Sequence, residues 1–458
     1  MSTKVQLEIR PLPDESLGRP FIIKVSDQIM KALHLSSNQD HQLTCSRYSH
    51  RVRIVSIKES DSIMYCSKTL LQSLHLPTEF TFTISLTKTN HSELFLNPIV
   101  SVMTEVKEKG ETVSLGSIEA FCEELAYYCD STGVFFYVFS LNNWDKENLV
   151  GYVFNNNRWI KTPVPFPQVV HNRIHSRKRE QSTKFIEFIE DLNSTTTPYF
   201  NDHFLNKWEV HELLVEHDHI TPYIPETMLL TSRNVLEEMV DNHDCVFLKP
   251  IHGSQGRKIF RITKKESNYH LDYTTFTGDI EQTYDSFLAL FQSLRSRLNQ
   301  QGFVAQQGLP LLLYNYRPLD FRFLCHKTID NKWAITSAIA RVSSKEQFVS
   351  NLARGGELMK LSTILSDTFD QKTSNHIKKM MKELALEVAD IISLSCEGFY
   401  GELGIDLALD INGVPWVIEV NTKPSKDQDP EHISSKVRPS AKAIIQHCLY
   451  LTNFSKKE

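Results

Sequence analysis

Two carboxylates in the last quarter of the chain are spaced so that they could bind one metal ion. Asp406 and Glu419 lie in alternating segments joined by Asn412-Gly413, a preferred two-residue hairpin turn. This turn places Asp406 directly opposite Glu419, and the two-residue period of a strand adds Asn421 to the same face. Directly opposed carboxylates destabilise a sheet unless a cation lies between them. Because such oxygen ligands suit Mg²⁺, we predict a magnesium site here, with a solvated edge hairpin as the alternative.

A second segment, residues 246–257, has the features of a phosphate site. An apolar strand ends in Lys249, and a loop with Gly253 and Gly256 precedes another strand at 259–262. A lysine at the end of a buried strand is costly unless an anion meets it, and glycines let backbone N–H groups approach phosphate oxygens. The segment is not a P-loop, because GxxxxGK(S/T) is absent. A surface hairpin with an incidental lysine is the alternative.

Two arginines lie inside otherwise apolar strands. Asp320 and Arg322 share one face of the first strand, Arg341 closes the next, and Asn351 begins a loop that contains two glycines. Arginines in such strands need carboxylate or phosphate partners. They could face a bound anionic group or simply pair with neighbouring carboxylates.

The elements that must position these segments alternate between helix and strand from Asp202 to the end of the chain. A long amphipathic helix precedes the last hairpin, with its apolar residues at helical spacing: Ile377, Met380, Met381, Leu384, Val388, Ile391 and Ile392. Three histidines could bind a metal, but an exposed helix is the favoured interpretation: His211, His217 and His219.

The first hundred residues contain a repeat. The segment 26–35 (SDQIMKALHL) matches 67–76 (SKTLLQSLHL), and alternation such as that at 81–86 indicates strands. A unit of this size cannot bury its own apolar face. We therefore predict that the two copies interlock in a β-rich small barrel of double-psi type over residues 1–105. Two unrelated amphipathic turns with a chance similarity are the alternative.

Residues 110–195 are predicted to form an α/β segment. A helical pattern at 118–129 leads into the apolar run 134–139, as expected for a helix that feeds a buried strand. The basic run 173–179 could touch an acidic substrate, but a solvated surface is the favoured interpretation.

The composition excludes several classes of protein. At 458 residues the chain exceeds a single core, while 41% hydrophobic and 23% charged residues are typical of globular domains. The net charge of −5 is too small to favour nucleic acid or a membrane surface. No stretch approaches the roughly 20 apolar residues of a membrane span. The start of the sequence lacks the apolar core of a signal peptide, so we expect a cytoplasmic protein.

Taken in order, these segments resemble the ATP-grasp superfamily, and more closely the YheC/YheD family of endospore coat-associated proteins. The matching phrases are Asn206-Lys207-Trp208-Glu209-Val210, Leu248-Lys249-Pro250, Gly253 to Gly256, Asp320-Phe321-Arg322, Asn351 with Gly355-Gly356, Gly401 to Asp406, and Trp416 to Asn421. The resemblance implies an ATP-grasp fold over residues 196–458, in which two α+β subdomains clasp ATP. The α/β segment and the barrel would precede it.

The resemblance also implies roles for individual residues. Those implied in ATP binding are Lys207, Lys249, Gly253, Ser254, Gln255, Gly256, Gln306, Gln307 and Leu309, with the backbone near Gln307 pairing with adenine. Arg322, Arg341 and Asn351 would face the transferred phosphate and the acceptor. Asp406, Glu419 and Asn421 would bind Mg²⁺. All of these follow Asp202, so we expect residues 196–458 to bind ATP without the first half.

Three functions fit these expectations. We favour an ADP-forming carboxylate–amine ligase that acts through an acyl phosphate, because Arg322, Arg341 and Asn351 form a polar cluster beyond what ATP binding requires. The alternatives are a non-catalytic nucleotide-binding protein of the spore coat and a small-molecule kinase. The expected partners are ATP and an unknown carboxylate and amine, or a spore-coat protein. Neither nucleic acid nor a membrane span is expected, and the location would be the cytoplasm or the spore coat.

Overall fold

A computed structural model describes residues 3–89, 92–110, 112–253, 258–275, 278–343, 356–426 and 437–454. Its elements follow the predicted order of a barrel, an α/β segment and an α+β region. Among the helices of the described residues, none is long and apolar enough to cross a membrane.

Seven of the described strands close into a barrel, in the order β1-β5-β2-β4-β3-β7-β6. Its elements are β1 (Thr3–Leu12), β2 (Ile22–Ser26), α1 (Asp27–Ala32), β3 (Asp40–Cys45), β4 (Tyr48–Ile57), β5 (Ile63–Ser67), α2 (Lys68–Ser73), β6 (Phe82–Lys88) and β7 (Glu93–Leu96). Strand β2 leads directly into α1, and β5 leads directly into α2. Strand β5 begins 41 residues after β2, and α2 begins 41 residues after α1. The predicted barrel is confirmed, and its repeat corresponds to these strand–helix units. The double-psi type stays a prediction.

The middle domain is an α/β sheet in the order β13-β12-β11-β8-β14-β15. Its elements, with a small hairpin β9–β10, are β8 (Ile99–Met103), β9 (Lys107–Lys109), β10 (Thr112–Ser114), α3 (Glu119–Thr132), β11 (Phe135–Phe139), β12 (Val150–Asn155), β13 (Arg158–Pro163), β14 (Val169–Asn172), α4 (Arg177–Glu180), α5 (Thr183–Ser194) and β15 (Tyr199–Phe200). Helix α3 feeds the buried strand β11, as the apolar run predicted.

The antiparallel sheet follows, in the order β16-β21-β17-β18-β19-β20. The elements of this region are α6 (Lys207–Val215), β16 (Thr227–Leu229), α7 (Arg233–Asn242), β17 (Cys245–Pro250), β18 (Phe260–Lys265), β19 (Asn268–Thr275), β20 (Gly278–Tyr284), α8 (Phe287–Leu298) and β21 (Phe303–Gln307). Helices α7 and α8 pack their apolar residues against this sheet and form its core.

The C-terminal sheet has the order β25-β24-β23-β26-β27, with β22 paired to β23. Its elements and the last helix are β22 (Leu313–Tyr314), β23 (Arg317–Lys327), β24 (Trp333–Val342), β25 (Glu357–Lys360), α9 (Leu361–Thr368), α10 (Gln371–Ser395), β26 (Glu402–Leu409), β27 (Pro415–Asn421) and α11 (Pro439–Phe454). The predicted amphipathic helix is α10, whose apolar face is buried against this sheet.

The two faces of the middle sheet pack against different parts of the chain. One face shares a hydrophobic core with the barrel, in which Ile84 and Leu86 join Phe135 and Phe139. The other face is covered by α3 together with α11. The end of the chain therefore returns to the middle domain, and the predicted boundaries 1–105, 110–195 and 196–458 stay predictions.

Candidate functional site

A cavity of about 780 Å³ is lined by the antiparallel sheet, the C-terminal sheet and the middle domain. The candidate residues that fall within the described ranges all line it: Lys207, Lys249, Gly253, Gln306, Gln307, Leu309, Arg322, Arg341, Asp406, Glu419 and Asn421. The other candidates, Ser254, Gln255, Gly256 and Asn351, lie outside the described residues. Predicted residues from five separate stretches of the sequence thus share one cavity.

Strands β26 and β27 place two carboxylates opposite each other at the cavity wall. Asp406 pairs with Glu419 in the strand register, and Gly404 pairs with Asn421, as the sequence predicted. The Asn421 side chain donates from Nδ2 to Asp406 Oδ2 at 3.2 Å. Three oxygen-bearing side chains therefore lie on adjacent positions of one hairpin.

The turn that joins these strands differs from the prediction. The Asp410 N–H donates to Val414 O at 3.0 Å, and the Asp410 carboxylate accepts the Asn412 N–H at 2.9 Å. The register then shifts by one residue between Asp406 and Leu407, which marks a β-bulge. The predicted two-residue turn is wrong, but the longer turn and the bulge compensate, so the carboxylates remain opposed.

Asp406 is held by two arginines. Arg322 forms a bidentate ion pair with it, in which Nη2 lies 2.8 Å from Oδ2, and Arg341 Nη2 lies 2.9 Å from the same oxygen. Arg341 also donates from Nε to Asp320 Oδ1 at 2.5 Å. Burial opposes the ionisation of Asp406, but the guanidinium groups outweigh it and hold the pKa of this carboxyl below its ordinary value. The strand arginines thus pair with neighbouring carboxylates, and they do so at the cavity wall.

Lys207 reaches the second carboxylate from the start of α6. This helix begins with a capping box, in which the Asn206 side chain accepts the Glu209 N–H at 3.0 Å and Glu209 accepts the Asn206 N–H at 2.8 Å. Lys207 Nζ lies 2.6 Å from Glu419 Oε1 and donates to Gly253 O at 2.9 Å. The cap therefore positions a lysine between the glycine loop and the opposed carboxylates.

Lys249 lies at the end of β17, as predicted, and is half-buried. Its ammonium group donates to Gln306 Oε1 at 2.5 Å, and Gln306 Nε2 donates to Thr227 Oγ1 at 3.0 Å. Burial lowers the pKa of Lys249 to about 8. No carboxylate contacts this ammonium group in the described part of the chain, which leaves it suited to a phosphate.

The segment predicted to lie beside adenine is held in place by backbone hydrogen bonds. The Gln307 N–H donates to Glu226 O at 2.8 Å, and the Gly308 N–H donates to Cys245 O at 2.8 Å. Leu309 follows this strand and lines the cavity. Further apolar residues of the lining are Phe247, Ile259, Val304, Leu311, Leu319, Ala408 and Val417.

The basic run contains the largest departure from expectation. Arg173 is fully buried, with Nη1 at 2.6 Å from Glu402 Oε1 and Nη2 at 2.8 Å from Pro424 O. Glu402 also forms an ion pair with Lys426, and His326 Nε2 lies 3.3 Å from Glu402 Oε2. The predicted solvated surface is wrong at Arg173, which instead joins the middle domain to the C-terminal sheet.

Four residues of the cavity wall were not among the predicted site residues: His175, Arg177, Lys423 and Lys426. The first two belong to the basic run 173–179, for which a solvated surface was favoured over contact with an acidic substrate. The two lysines come shortly after Asn421 in the sequence. Their closeness to a predicted metal ligand could have identified them. Nothing local distinguishes Arg177 from the exposed basic residues after it. Its place in the cavity is set by the middle domain as a whole.

The residues at the hairpin fit a divalent cation that prefers oxygen. Asp406, Glu419 and Asn421 supply two carboxylates and an amide, which leaves coordination positions for phosphate and water and suits Mg²⁺. Among the described residues there is no group of three His, Cys, Asp or Glu side chains placed to hold a metal, so the histidines near α6 do not form such a group. His219 instead lies 2.9 Å from Glu387.

The antiparallel sheet and the helix-covered C-terminal sheet enclose a cavity lined by lysines, arginines and carboxylates. This arrangement defines an ATP-grasp protein. This fold implies the use of ATP and a divalent metal. The chain belongs to the YheC/D-like ATP-grasp family, whose sequence model matches residues 196–451.

Two proteins of Bacillus subtilis are similar to this chain over most of their length. Endospore coat-associated protein YheD of Bacillus subtilis (strain 168) is 30% identical over 342 residues, which cover 72% of this chain and 73% of that protein. Endospore coat-associated protein YheC of the same organism is 24% identical over 275 residues, 58% of this chain and 73% of that protein. Among solved structures, D-alanyl-alanine synthetase A from Vibrio cholerae O1 biovar eltor str. N16961 has a TM-score of 0.44 at 13% identity, covering 79% of this chain and 99% of that one.

Proposed function

We propose that the protein is an ADP-forming carboxylate–amine ligase that acts through an acyl phosphate. The observation that carries this proposal is the pair Arg322 and Arg341, whose guanidinium groups lie against Asp406 in the wall of the cavity. ATP binding alone needs cations for its phosphates, which Lys207 and Lys249 supply. Two further fixed cations in the same cavity suit a reaction that builds a second charged group beside the nucleotide.

Lys249 and Lys207 would bind the phosphates of ATP, and the apolar lining near Leu309 would hold its base. Lys249 forms no ion pair with a carboxylate among the described residues, so a phosphate would reduce the cost of its burial. Lys207 already bridges Gly253 and Glu419, which places it between the glycine loop and the hairpin.

Asp406, Glu419 and Asn421 would hold the magnesium ion that accompanies ATP. When bound, Mg²⁺ neutralises phosphate charge and fixes the orientation of the phosphate chain. The carboxylates are neutralised by Arg322, Arg341 and Lys207 in this structure. These side chains are therefore within reach of any phosphate that the hairpin holds.

The reaction would proceed in two steps. An oxygen of the acceptor carboxylate attacks the γ-phosphorus, the bond to the β-phosphate oxygen breaks, and ADP and an acyl phosphate form. The amine nitrogen then attacks the acyl carbon, its proton is lost, and inorganic phosphate leaves as the amide forms. Arg322 and Arg341 would stabilise the charge on the transferred phosphoryl group and on the oxyanion of the second step.

A nucleotide-binding structural role is the second candidate. Both similar Bacillus subtilis proteins are named as endospore coat-associated, and we propose the same association for this chain. Such a scaffold would bind ATP in the same cavity without ligating anything.

Hydroxylamine trapping separates these functions. With Mg-ATP and a panel of amino acids, peptides and cell-wall fragments, we predict acceptor-dependent ADP release and, with hydroxylamine as the amine, an acyl hydroxamate. Arg322→Ala should lose this turnover and still bind ATP in calorimetry, while Lys249→Ala should weaken ATP binding itself. A stable phosphoester in place of hydroxamate would identify a kinase, and ATP binding without ADP release for any acceptor would identify a scaffold.

A further inference from the structure

The middle domain contributes one wall of the cavity, and the charged side chains of this wall are cationic. Arg177, the first residue of α4, lines the wall beside His175. Lys423 and Lys426, from the segment that follows β27, line it as well. The cavity-lining carboxylates belong to the C-terminal sheet instead, and each forms an ion pair with an arginine of that sheet or with Lys207 of α6.

Three cations on or behind this wall share two carboxylates in their ion pairs. Lys423 pairs with Glu180, while Lys426 and Arg173 share Glu402, which Arg173 contacts at 2.6 Å. Both carboxylates are set behind the wall and do not line the cavity. Buried cations that outnumber their carboxylates are costly unless an anion is bound nearby.

Arg177 differs from these lysines in its contacts. Its guanidinium carbon lies 5.1 Å from the centre of the Phe204 ring, and within the described ranges it has no carboxylate at ion-pair distance. Lys423 Nζ lies 4.9 Å from the centre of the same ring, so one aromatic ring contacts both cations. A guanidinium held on an aromatic ring keeps its N–H groups free for a planar anion such as a carboxylate.

We propose that this wall, with Arg177 as the direct ligand, binds a carboxylate of the acceptor other than the one that reacts. The acceptor is then a molecule with at least two acid groups. The reaction of the first carboxylate rests on the proposed ligase function. Binding of the second carboxylate requires no turnover and is tested without it.

The test measures binding of matched acids to the full-length protein saturated with Mg²⁺ and the non-hydrolysable analogue AMP-PNP. Succinate, glutarate and adipate are each compared with their monoamides by ligand-observed NMR. We expect at least one diacid to bind about tenfold more tightly than its monoamide, the gain typical of a charge-assisted hydrogen bond. Arg177→Gln should abolish this preference. Arg179→Gln, the same charge change at an exposed position of α4, should retain it.

Three results would overturn the proposal. These are equal binding of each diacid and its monoamide, a preference that persists in Arg177→Gln, and a loss of AMP-PNP affinity in Arg177→Gln as large as that in Lys249→Ala. The last would make Arg177 a nucleotide ligand. A diacid preference without hydroxamate formation would retain this subsite and reject the ligase, whereas hydroxamate formation without the preference would do the reverse.

Discussion

Lys249 combines burial with the absence of a carboxylate partner in the described structure, and this makes its charge sensitive to pH. Its pKa is lowered to about 8, mainly by burial. A lysine is charged below its pKa, so the attraction to phosphate is complete below about pH 8 and is lost as the pH rises through that value. The protein must then take up a proton in order to bind ATP.

We therefore predict that ATP affinity falls above about pH 8, by up to about tenfold per pH unit. Calorimetric titrations at saturating Mg²⁺ would measure the affinity on both sides of this value. In Lys249→Arg the guanidinium stays charged, so the affinity should remain level over the same range. An equal decline in both proteins would assign the titration to another group.

At the scale of single residues, the sequence predicts contacts between residues that are close in sequence and misses contacts between residues that are far apart in it. Asp406 and Glu419 were recognisable because a short hairpin brings them together. Arg173 was not, because its partner Glu402 lies 229 positions away and a basic run looks the same whether solvated or paired. The opposed pair was predicted from a turn that does not form, and the extra residue Ile418 in β27 restored the result.

At the scale of elements, α11 ties the two halves of the chain together. Helix α11 covers the middle sheet with apolar residues that are buried there: Ala441, Ile444, Ile445, Cys448 and Leu451. On the other face of that sheet, the barrel completes the core. Hydrophobic periodicity predicts that a face is buried, but it does not say against which element, so the sequence favoured an independent C-terminal part.

The structure leads to a different prediction for residues 196–458 alone. Without the middle domain, α11 loses its partner, at about 1.5–3 kcal/mol for each large apolar side chain, and Glu402 loses Arg173. These losses rival the stability of a whole domain, about 5–15 kcal/mol. We expect this fragment to lack a cooperative thermal transition by circular dichroism, and co-expression with residues 1–195 to restore one. A fragment that melts cooperatively and binds ATP by itself would contradict this account.

At the scale of the whole molecule, three regions meet at one cavity and a fourth supports them. The antiparallel and C-terminal sheets supply the predicted nucleotide residues, and the middle domain adds the wall that carries Arg177. Within the described residues the cavity lining begins at Ser117, so the barrel acts through the core that it shares with the middle sheet. The order of these regions was predictable from repeats and periodicity, whereas their joint contribution to the cavity depends on packing.

Calorimetric titration of ATP with Mg²⁺ or with EDTA tests the central claim, that the opposed hairpin carboxylates bind the metal of Mg-ATP. In the wild-type protein, Mg²⁺ should raise ATP affinity at least about tenfold, since it bridges phosphate and carboxylate. Glu419→Gln keeps the size of the side chain and should lose most of this gain, while Glu212→Ala, an exposed change on α6, should keep it. An unchanged effect of Mg²⁺ in Glu419→Gln, or no ATP binding by the wild-type protein, would contradict the account.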